Sequence, residues 1–405
     1  MRTDQDLYNF TMAQFIWHHF PDVEVTYAFK CRTPIDLTKR IDETRLRAEL
    51  EFIKEKSFSP WEIVALKNLE VLEDYFVDWL VQQPLPDFKL EYKEGQIELT
   101  VTGPWITGIF WETPILYTIN NLAYSQVDRT HDPVVVGMQR LQEKVAILQR
   151  NPQIKFFEFG TRRRYSHSWQ FNVLGYLQAM VPENLMGTSN VYLGSRLQIP
   201  VRGTIAHQLY MVNAALELYK DSQSFVPNPD TALAESIKSI DDLWHIEFAG
   251  KWDGGLMIAL PDTFGSDYYF ELMHHTDFND WRGFRQDSGD PFVFGDKVMH
   301  YWGLHGIDPK SKLLVFSDGL DIETMLRLCD RYCDETSVAF GWGTNLTNDV
   351  GFEPLSMVVK PILANGAPCV KLSDNIAKAT GDLSTIKAYK QLIQYSSEYS
   401  KKAMY

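Results

Sequence analysis

The residues able to do chemistry lie in short polar clusters between residues 156 and 345. Seven clusters are rich in Gly, Asp and Thr, and five of them follow directly on short apolar runs with strand character. These are 156–159 before Gly160-Thr161-Arg162, 256–260 before Pro261-Asp262, Phe284 before Arg285 to Asp290, 313–316 before Ser317-Asp318-Gly319, and 338–340 before Gly341 to Asn345. Two more, Gly187-Thr188-Ser189-Asn190 and Gly203-Thr204, are expected to open helices. Polar residues at the carboxyl ends of successive strands converge on one face of an α/β barrel, where such folds do their chemistry.

Arg285-Gln286-Asp287-Ser288-Gly289-Asp290-Pro291 combines a cation, two carboxylates three residues apart and a glycine that lets backbone approach a ligand. Carboxylates accept from ribose hydroxyls or hold Mg²⁺ through its water shell, and an arginine grips a carboxylate or phosphate with two parallel bonds. The same string also describes an ordinary turn. Ser317-Asp318-Gly319 and Gly341-Trp342-Gly343-Thr344-Asn345 follow the last expected strands, where barrels commonly build a phosphate site from loops and a helix start. No Gly-Lys-Ser/Thr occurs, and the Gly341/Gly343 pair lacks the third glycine of a dinucleotide fingerprint, which disfavours P-loop and Rossmann enzymes.

Thr204 is expected to cap a helix over 205–220, putting His207 in its first turn. Helix N-terminal amides keep an imidazole neutral and hence nucleophilic, which suits a phosphorylated or general-base histidine. A histidine hydrogen-bonded within the core is the competing reading. His18-His19 and His274-His275 lack metal-like spacing and read as structural, which leaves the metal ligands unassigned.

These loops need a scaffold, and alternation supplies one. Helical patterns at 115–128, 134–149, 205–220, 266–275, 293–304 and 321–333 interleave with the apolar runs, implying a parallel sheet or barrel over 114–353. Before it, helical patterns at 4–20, 41–56 and 60–82, a strand at 23–30 and two β runs at 88–102 around Glu94-Gly95 form an α+β region, 1–113. Strand-like runs at 356–363 and 368–372 and a helix at 384–396 let the tail, 354–405, return to that region.

The chain has 405 residues and a formal charge of -14, which opposes non-specific binding to nucleic acid or an anionic membrane. An anionic substrate must therefore meet a locally basic pocket. Arg162-Arg163-Arg164 is the densest basic run, although such a triplet also reads as a solvated face. Cys31, Cys329, Cys333 and Cys369 contain no CxxC and are expected to be reduced, buried thiols. No apolar run approaches the ~18 residues of a membrane span, and the start at Met1 does not read as a signal peptide. A cytoplasmic protein is expected.

Eight stretches in order resemble nicotinate phosphoribosyltransferases, over nearly the whole chain: Asp6-Leu7-Tyr8, Glu158 to Ser166, Gly187 to Asn190, Gly203 to His207, Arg285 to Pro291, Phe316 to Asp321, Gly341 to Asn345, and Lys371-Leu372-Ser373-Asp374. The resemblance implies an irregular or incomplete α/β barrel packed on an α+β domain, and a homodimer with shared active sites. It implies phosphoribosyl transfer from phosphoribosyl pyrophosphate to nicotinate, linked to ATP and Mg²⁺. By the same resemblance His207 is the phosphorylated histidine, and Phe159 and the partner's Tyr8 sandwich the pyridine near Arg162 and Arg285. Asp287, with Ser288, Gly289 and Asp290, takes the ribose, and Ser317, Asp318, Gly319, Gly343, Thr344 and Asn345 take the 5′-phosphate.

Nicotinamide phosphoribosyltransferase is the alternative. Its members carry an aspartate where Ser189 stands, and an aspartate beside the nicotinate carboxylate would place like charges in contact. Ser189 therefore favours the acid. Quinolinate phosphoribosyltransferase and a catalytically silent nucleotide-binding barrel are weaker rivals.

Overall fold

In this computed structural model, which describes residues 1–125, 131–220, 224–397 and 399–400, the amino-terminal region supplies three strands. They are β1 (Glu24–Cys31), β2 (Phe88–Lys93) and β3 (Gln96–Pro104). The hairpin β2–β3 turns at Glu94 and Gly95 with φ of 50° and 78°. Two consecutive positive φ values match the right-handed twist of the flanking strands, and glycine at the second position carries one at no steric cost.

The central region supplies β4 (Phe156–Glu158), β5 (Leu185–Thr188), β6 (Ile258–Ala259), β7 (Gly283–Gln286), β8 (Leu313–Phe316) and β9 (Ser337–Trp342). They form one parallel sheet in the order β5-β4-β9-β8-β7-β6. Among the described residues β5 and β6 remain its two edges. The near-continuous burial of the central strands β8 and β9 is that of a sheet covered on both faces.

The chain then returns. β10 (Met357–Ala364) pairs antiparallel with β1, and β11 (Ala367–Pro368) pairs with β10, giving a second sheet ordered β11-β10-β1-β3-β2. The pairing Ala28↔Lys360 fixes the level at which Lys360 leaves this sheet. The protein is thus a mixed α/β fold with one parallel and one antiparallel sheet.

Helix Leu7–His19 is buried along most of its length. Phe10 packs on Phe110 at 5.1 Å and Phe15 on Trp244 at 5.6 Å, so this helix is locked between the two regions. No described helix is long and apolar enough to cross a membrane.

Several expectations shift. The pattern over 60–82 is two helices, Pro60–Lys67 and Asp74–Leu80, parted where Glu70 takes φ 59°. The pattern at 115–128 is helix Glu112–Ser125, and its last three expected positions lie outside the described residues. Helices His167–Met180 and Pro229–Phe248 were not expected. Gly187 to Asn190 ends β5 rather than simply opening a helix, so a sixth cluster follows a strand. Cys329 and Cys333 are disulfide-bonded, correcting the expectation of reduced thiols. One helical turn sets their Cα atoms 4.9 Å apart, within bonding reach. Cys31 and Cys369 are free.

Candidate active site

The turn after β7 shows how local hydrogen bonding selects one functional side chain. Gln286, buried at the strand end, donates to Ser288 O (3.0 Å) and Gly289 O (3.2 Å) and closes the turn. Ser288 donates to Asp262 and accepts from Asp374 N (3.0 Å). Gly289 takes φ +81°, and a Cβ there would stand 3.0 Å from that of Asp374. Asp290 accepts from Phe292 N and Val293 N, capping helix Pro291–Leu304. Of the four residues expected on the ribose, only Asp287 therefore lines the cleft; Ser288, Gly289 and Asp290 build the turn that aims it.

The cleft opens to solvent. Phe159 and Arg162 enter beyond β4, Arg285 and Asp287 at β7, Ser317, Asp318 and Gly319 beyond β8, and Gly341, Gly343, Thr344 and Asn345 at β9 and beyond. The antiparallel sheet faces them with Arg32, just past β1, and Lys360 of β10. Lys371 and Lys378 come from the segment after β11. Arg32, Arg162, Arg163, Arg285, Lys360, Lys371 and Lys378 outnumber Glu112, Asp287 and Asp318, so an acidic chain holds a basic cleft. That excess is what an anionic substrate requires.

His207 sits at the inner wall, 4% exposed. Its helix begins at Gln208, with His207 itself as the flanking residue. Thr204 is accordingly not the cap; its hydroxyl donates to Ile205 O at 3.3 Å. Nδ1 lies 3.0 Å from Thr263 Oγ1, while Nε2 lies 2.9 Å from Asp287 Oδ2 and 2.8 Å from Lys371 Nζ. Asp262 Oδ1 is 3.7 Å away. Burial and then the Lys371 charge push the imidazole down to about 4 against the pull of Asp262 and Asp287. A neutral ring donating from Nδ1 to Thr263 presents an Nε2 lone pair.

Asp287 also lies 3.2 Å from Ser317 Oγ and 3.7 Å from Arg285. Burial would raise its pKa, but Arg285, His207 and Lys371 outweigh burial and hold it well below the ordinary range. Asp318 accepts from Lys378. Its carboxyl is nonetheless raised, because burial dominates and Asp287 repels it. Arg285 donates to Ile205 O at 3.1 Å, leaving its buried Nε without a partner among the described residues.

Phe159 is wedged against Gly341, where a Cβ would approach its ring to 2.5 Å. Behind it, Glu158 is fully buried and accepts from Gly160 N (2.6 Å), Gln170 (2.9 Å) and Thr188 (2.6 Å), which fixes the strand end. Tyr8 and Ser189 do not line the cleft. The resemblance implied the partner's Tyr8; within one chain Tyr8 donates to Glu112 Oε2 at 2.7 Å and lies under Arg162 at 5.4 Å. Ser189 is 4% exposed and donates to Asp6 Oδ1 at 2.5 Å.

Sequence reasoning did not assign Arg32, Glu112, Asp262, Lys360, Lys371 or Lys378 to the site. Asp262 was flagged only as a strand-end polar residue, and Lys371 only within Lys371-Leu372-Ser373-Asp374. Nothing local marks Lys360: it is a single charge within the run of β10.

Known proteins share both sequence and fold. The nicotinate phosphoribosyltransferase (NAPRTase) family profile matches residues 154–397, and the profile of that family's N-terminal domain matches 3–120. A nicotinate phosphoribosyltransferase of Ralstonia nicotianae is 37% identical over 95% of this chain and 96% of its own. One of Burkholderia mallei is 36% identical over 95% and 94%. The crystal structure of nicotinate phosphoribosyltransferase from Vibrio cholerae superposes with a TM-score of 0.85 at 29% identity, covering 98% of this chain and 94% of that one. The enzyme from Porphyromonas gingivalis gives 0.86 at 26% identity, covering 97% and 99%. With both profiles matched along most of its length, the chain belongs to the nicotinate phosphoribosyltransferase family.

Proposed function

We infer that the protein transfers the phosphoribosyl group of phosphoribosyl pyrophosphate to nicotinate, linked to ATP hydrolysis, giving nicotinate mononucleotide and pyrophosphate for NAD salvage. The observation that carries this reading is the strongly basic cleft of an acidic chain, formed between the ends of the parallel strands and the antiparallel sheet with the segment after it, in a member of this family. Phe159 offers a stacking face, and Arg162 and Arg285 a cationic rim, for a planar anion. The pyridine nitrogen attacks C1 of the ribose as pyrophosphate departs through an oxocarbenium-like transition state. Positioning and charge stabilisation supply most of the acceleration. Asp287 faces the developing positive charge on the sugar, Ser317 and the 341–345 loop hold the 5′-phosphate, and Lys360, Lys371 and Lys378 meet the pyrophosphate. His207 Nε2 attacks the γ-phosphorus of ATP as ADP departs, and water later cleaves the P–N bond, releasing phosphate and returning the free histidine.

The donor set limits how Mg²⁺ takes part. His207, Asp262 and Asp287 are close enough to chelate, but Lys371 Nζ stands 2.8 Å from His207, 3.3 Å from Asp262 and 3.9 Å from Asp287, filling that place with charge. A cage of protein ligands alone does not fit there. Asp287 and Asp318 fit as water-mediated partners of an ion carried by pyrophosphate oxygens. When bound, Mg²⁺ neutralises charge on the leaving pyrophosphate.

On this reading the parallel sheet is the wall of an incomplete barrel, 114–353, and the 1–113 and 354–405 segments form the companion α+β domain, supported by the β1–β10 pairing. A homodimer and a cytoplasmic location go with it. The test is nicotinate mononucleotide formation from purified protein with and without ATP, nicotinamide being offered at equal concentration. Product from nicotinate, stimulated by ATP, is expected. No product, or faster use of nicotinamide, would overturn the assignment.

A further inference from the structure

Away from the cleft, two adjacent imidazoles converge on one carboxylate oxygen. His18 Nδ1 and His19 Nε2, at the end of helix Leu7–His19, each lie 3.1 Å from Glu247 Oε2 on helix Pro229–Phe248. Neighbouring helical residues point about 100° apart, and they meet here only because one ring presents Nδ1 and the other Nε2. A tetrahedral ion with bonds of ~2.1 Å separates its ligands by about 3.4 Å, close to the 3.1 Å between each histidine and Glu247, and all three ligand atoms lie within 4.8 Å of one another.

A second layer braces the carboxylate donor. His18 Nε2, the nitrogen turned away from Glu247, lies 3.2 Å from Glu73 Oε2. The contact is an ion-pair distance and not a hydrogen bond, since Glu73 Oε2 has no hydrogen-bond partner among the described residues, so this carboxylate adds negative charge beside the ring without fixing its tautomer. Glu247 Oε1 accepts from Gln14 Nε2 at 2.9 Å, leaving Oε2 to the two histidines, and Gln14 Oε1 accepts from Glu73 N at 2.7 Å. One glutamine thus braces both carboxylate-bearing segments. The Glu247 side chain is 4% exposed and that of His18 26%, so the cluster is walled on the protein side and open outward to a water ligand.

We propose that His18, His19 and Glu247 form a binding site for a zinc-class divalent cation, distinct from the catalytic cleft, which staples helix Leu7–His19 to helix Pro229–Phe248. Two imidazoles and one carboxylate suit zinc, whereas Mg²⁺ prefers an all-oxygen shell. Helix Leu7–His19 opens beside Asp6 and contains Tyr8, which contact Arg162, so the staple sets the base of one cleft wall.

Full-length protein is stripped with chelator, dialysed, held in excess Mg²⁺, and titrated with Zn²⁺ by calorimetry, with Co²⁺ absorption as a second readout. Wild type is expected to bind one equivalent more than His18→Gln/His19→Gln, and to show the intense visible bands of tetrahedral Co²⁺. Its thermal midpoint should rise with Zn²⁺ where that of the double variant does not. Equal stoichiometry in the two proteins, or octahedral Co²⁺ spectra in wild type, would overturn the site. Glu247→Gln, which keeps the Gln14 contact possible, is expected to weaken Zn²⁺ at least tenfold; unchanged affinity would overturn the carboxylate's part in it.

Discussion

Replacing Lys371 by methionine should raise the basicity of His207. The ammonium stands 2.8 Å from Nε2, and two like unit charges at that separation repel by about 6 kcal/mol at an effective dielectric constant of ~20. The histidine is held at about 4 against a reference of 6.5, a net depression equivalent to about 3 kcal/mol. Burial is the larger cause and persists in the variant, but Asp262 and Asp287 then act on the ring unopposed. The pKa should therefore rise by about two units or more. NMR titration of the His207 Cε1–H between pH 4 and 8, with His207→Asn to assign the signal, reads this directly. The acid limb of ATP-dependent phosphorylation should move by the same amount, because an imidazolium has no lone pair to offer. A shift below about 0.3 unit in both would refute the view that Lys371 keeps this ring neutral.

Arg285→Ala should lower kcat/KM for nicotinate by about 100-fold or more, roughly 2.7 kcal/mol of transition-state stabilisation, while moving Tm by only a few degrees. Steady-state kinetics alongside thermal unfolding separate the two, and unchanged kinetics would remove Arg285 from the site. Gly341→Ala inserts a methyl 2.5 Å from the Phe159 ring and 2.9 Å from Ser317 Cβ, so the ring must move. KM for nicotinate should rise about tenfold, with a destabilisation of about 1–3 kcal/mol from overpacking; an unaltered KM would count against stacking on Phe159. Because folded His207 binds a proton at about pH 4 and the unfolded residue near 6.5, the unfolded state holds more protons between those values, and stability falls as pH drops through that window. Urea unfolding at pH 7 and pH 4 should show His207→Asn losing about 3 kcal/mol less than wild type.

Local chemistry made the strand-end loops legible. Arg162, Arg285, Asp287, Ser317, Asp318 and the 341–345 loop lie behind short apolar runs, and the parallel sheet brings all of them to one cleft. The reading failed where a side chain's use depends on a distant partner. Ser288 and Asp290 are as polar as Asp287, but Asp262, Asp374 and the helix start at Pro291 claim them. Ser189 likewise meets Asp6, 183 residues earlier in the chain. The two long helices that went unread, His167–Met180 and Pro229–Phe248, carry buried faces spread over long intervals rather than a polar cluster at one end. Lys360 was illegible for a further reason: its value to the cleft arises only when β10 pairs with β1, a contact that closes over 330 residues of chain.

The contacts of His207 also contain a conflict that bears on how the cleft works. A neutral ring that donates from Nδ1 to Thr263 has only an acceptor at Nε2, which suits Lys371 but sets a lone pair against the Asp287 carboxylate 2.9 Å away. Protonating Nε2 would satisfy Asp287 and leave the ammonium facing an N–H. Neither tautomer satisfies all three partners. The phosphoryl group that the proposed function puts on Nε2 would resolve the conflict for Lys371, which would gain an anionic acceptor, and worsen it for Asp287, which would have to turn away. Its other oxygen already lies near Ser317 and Arg285, at the sugar side of the cleft. On the proposed function, charge delivered to His207 would therefore act on the orientation of Asp287.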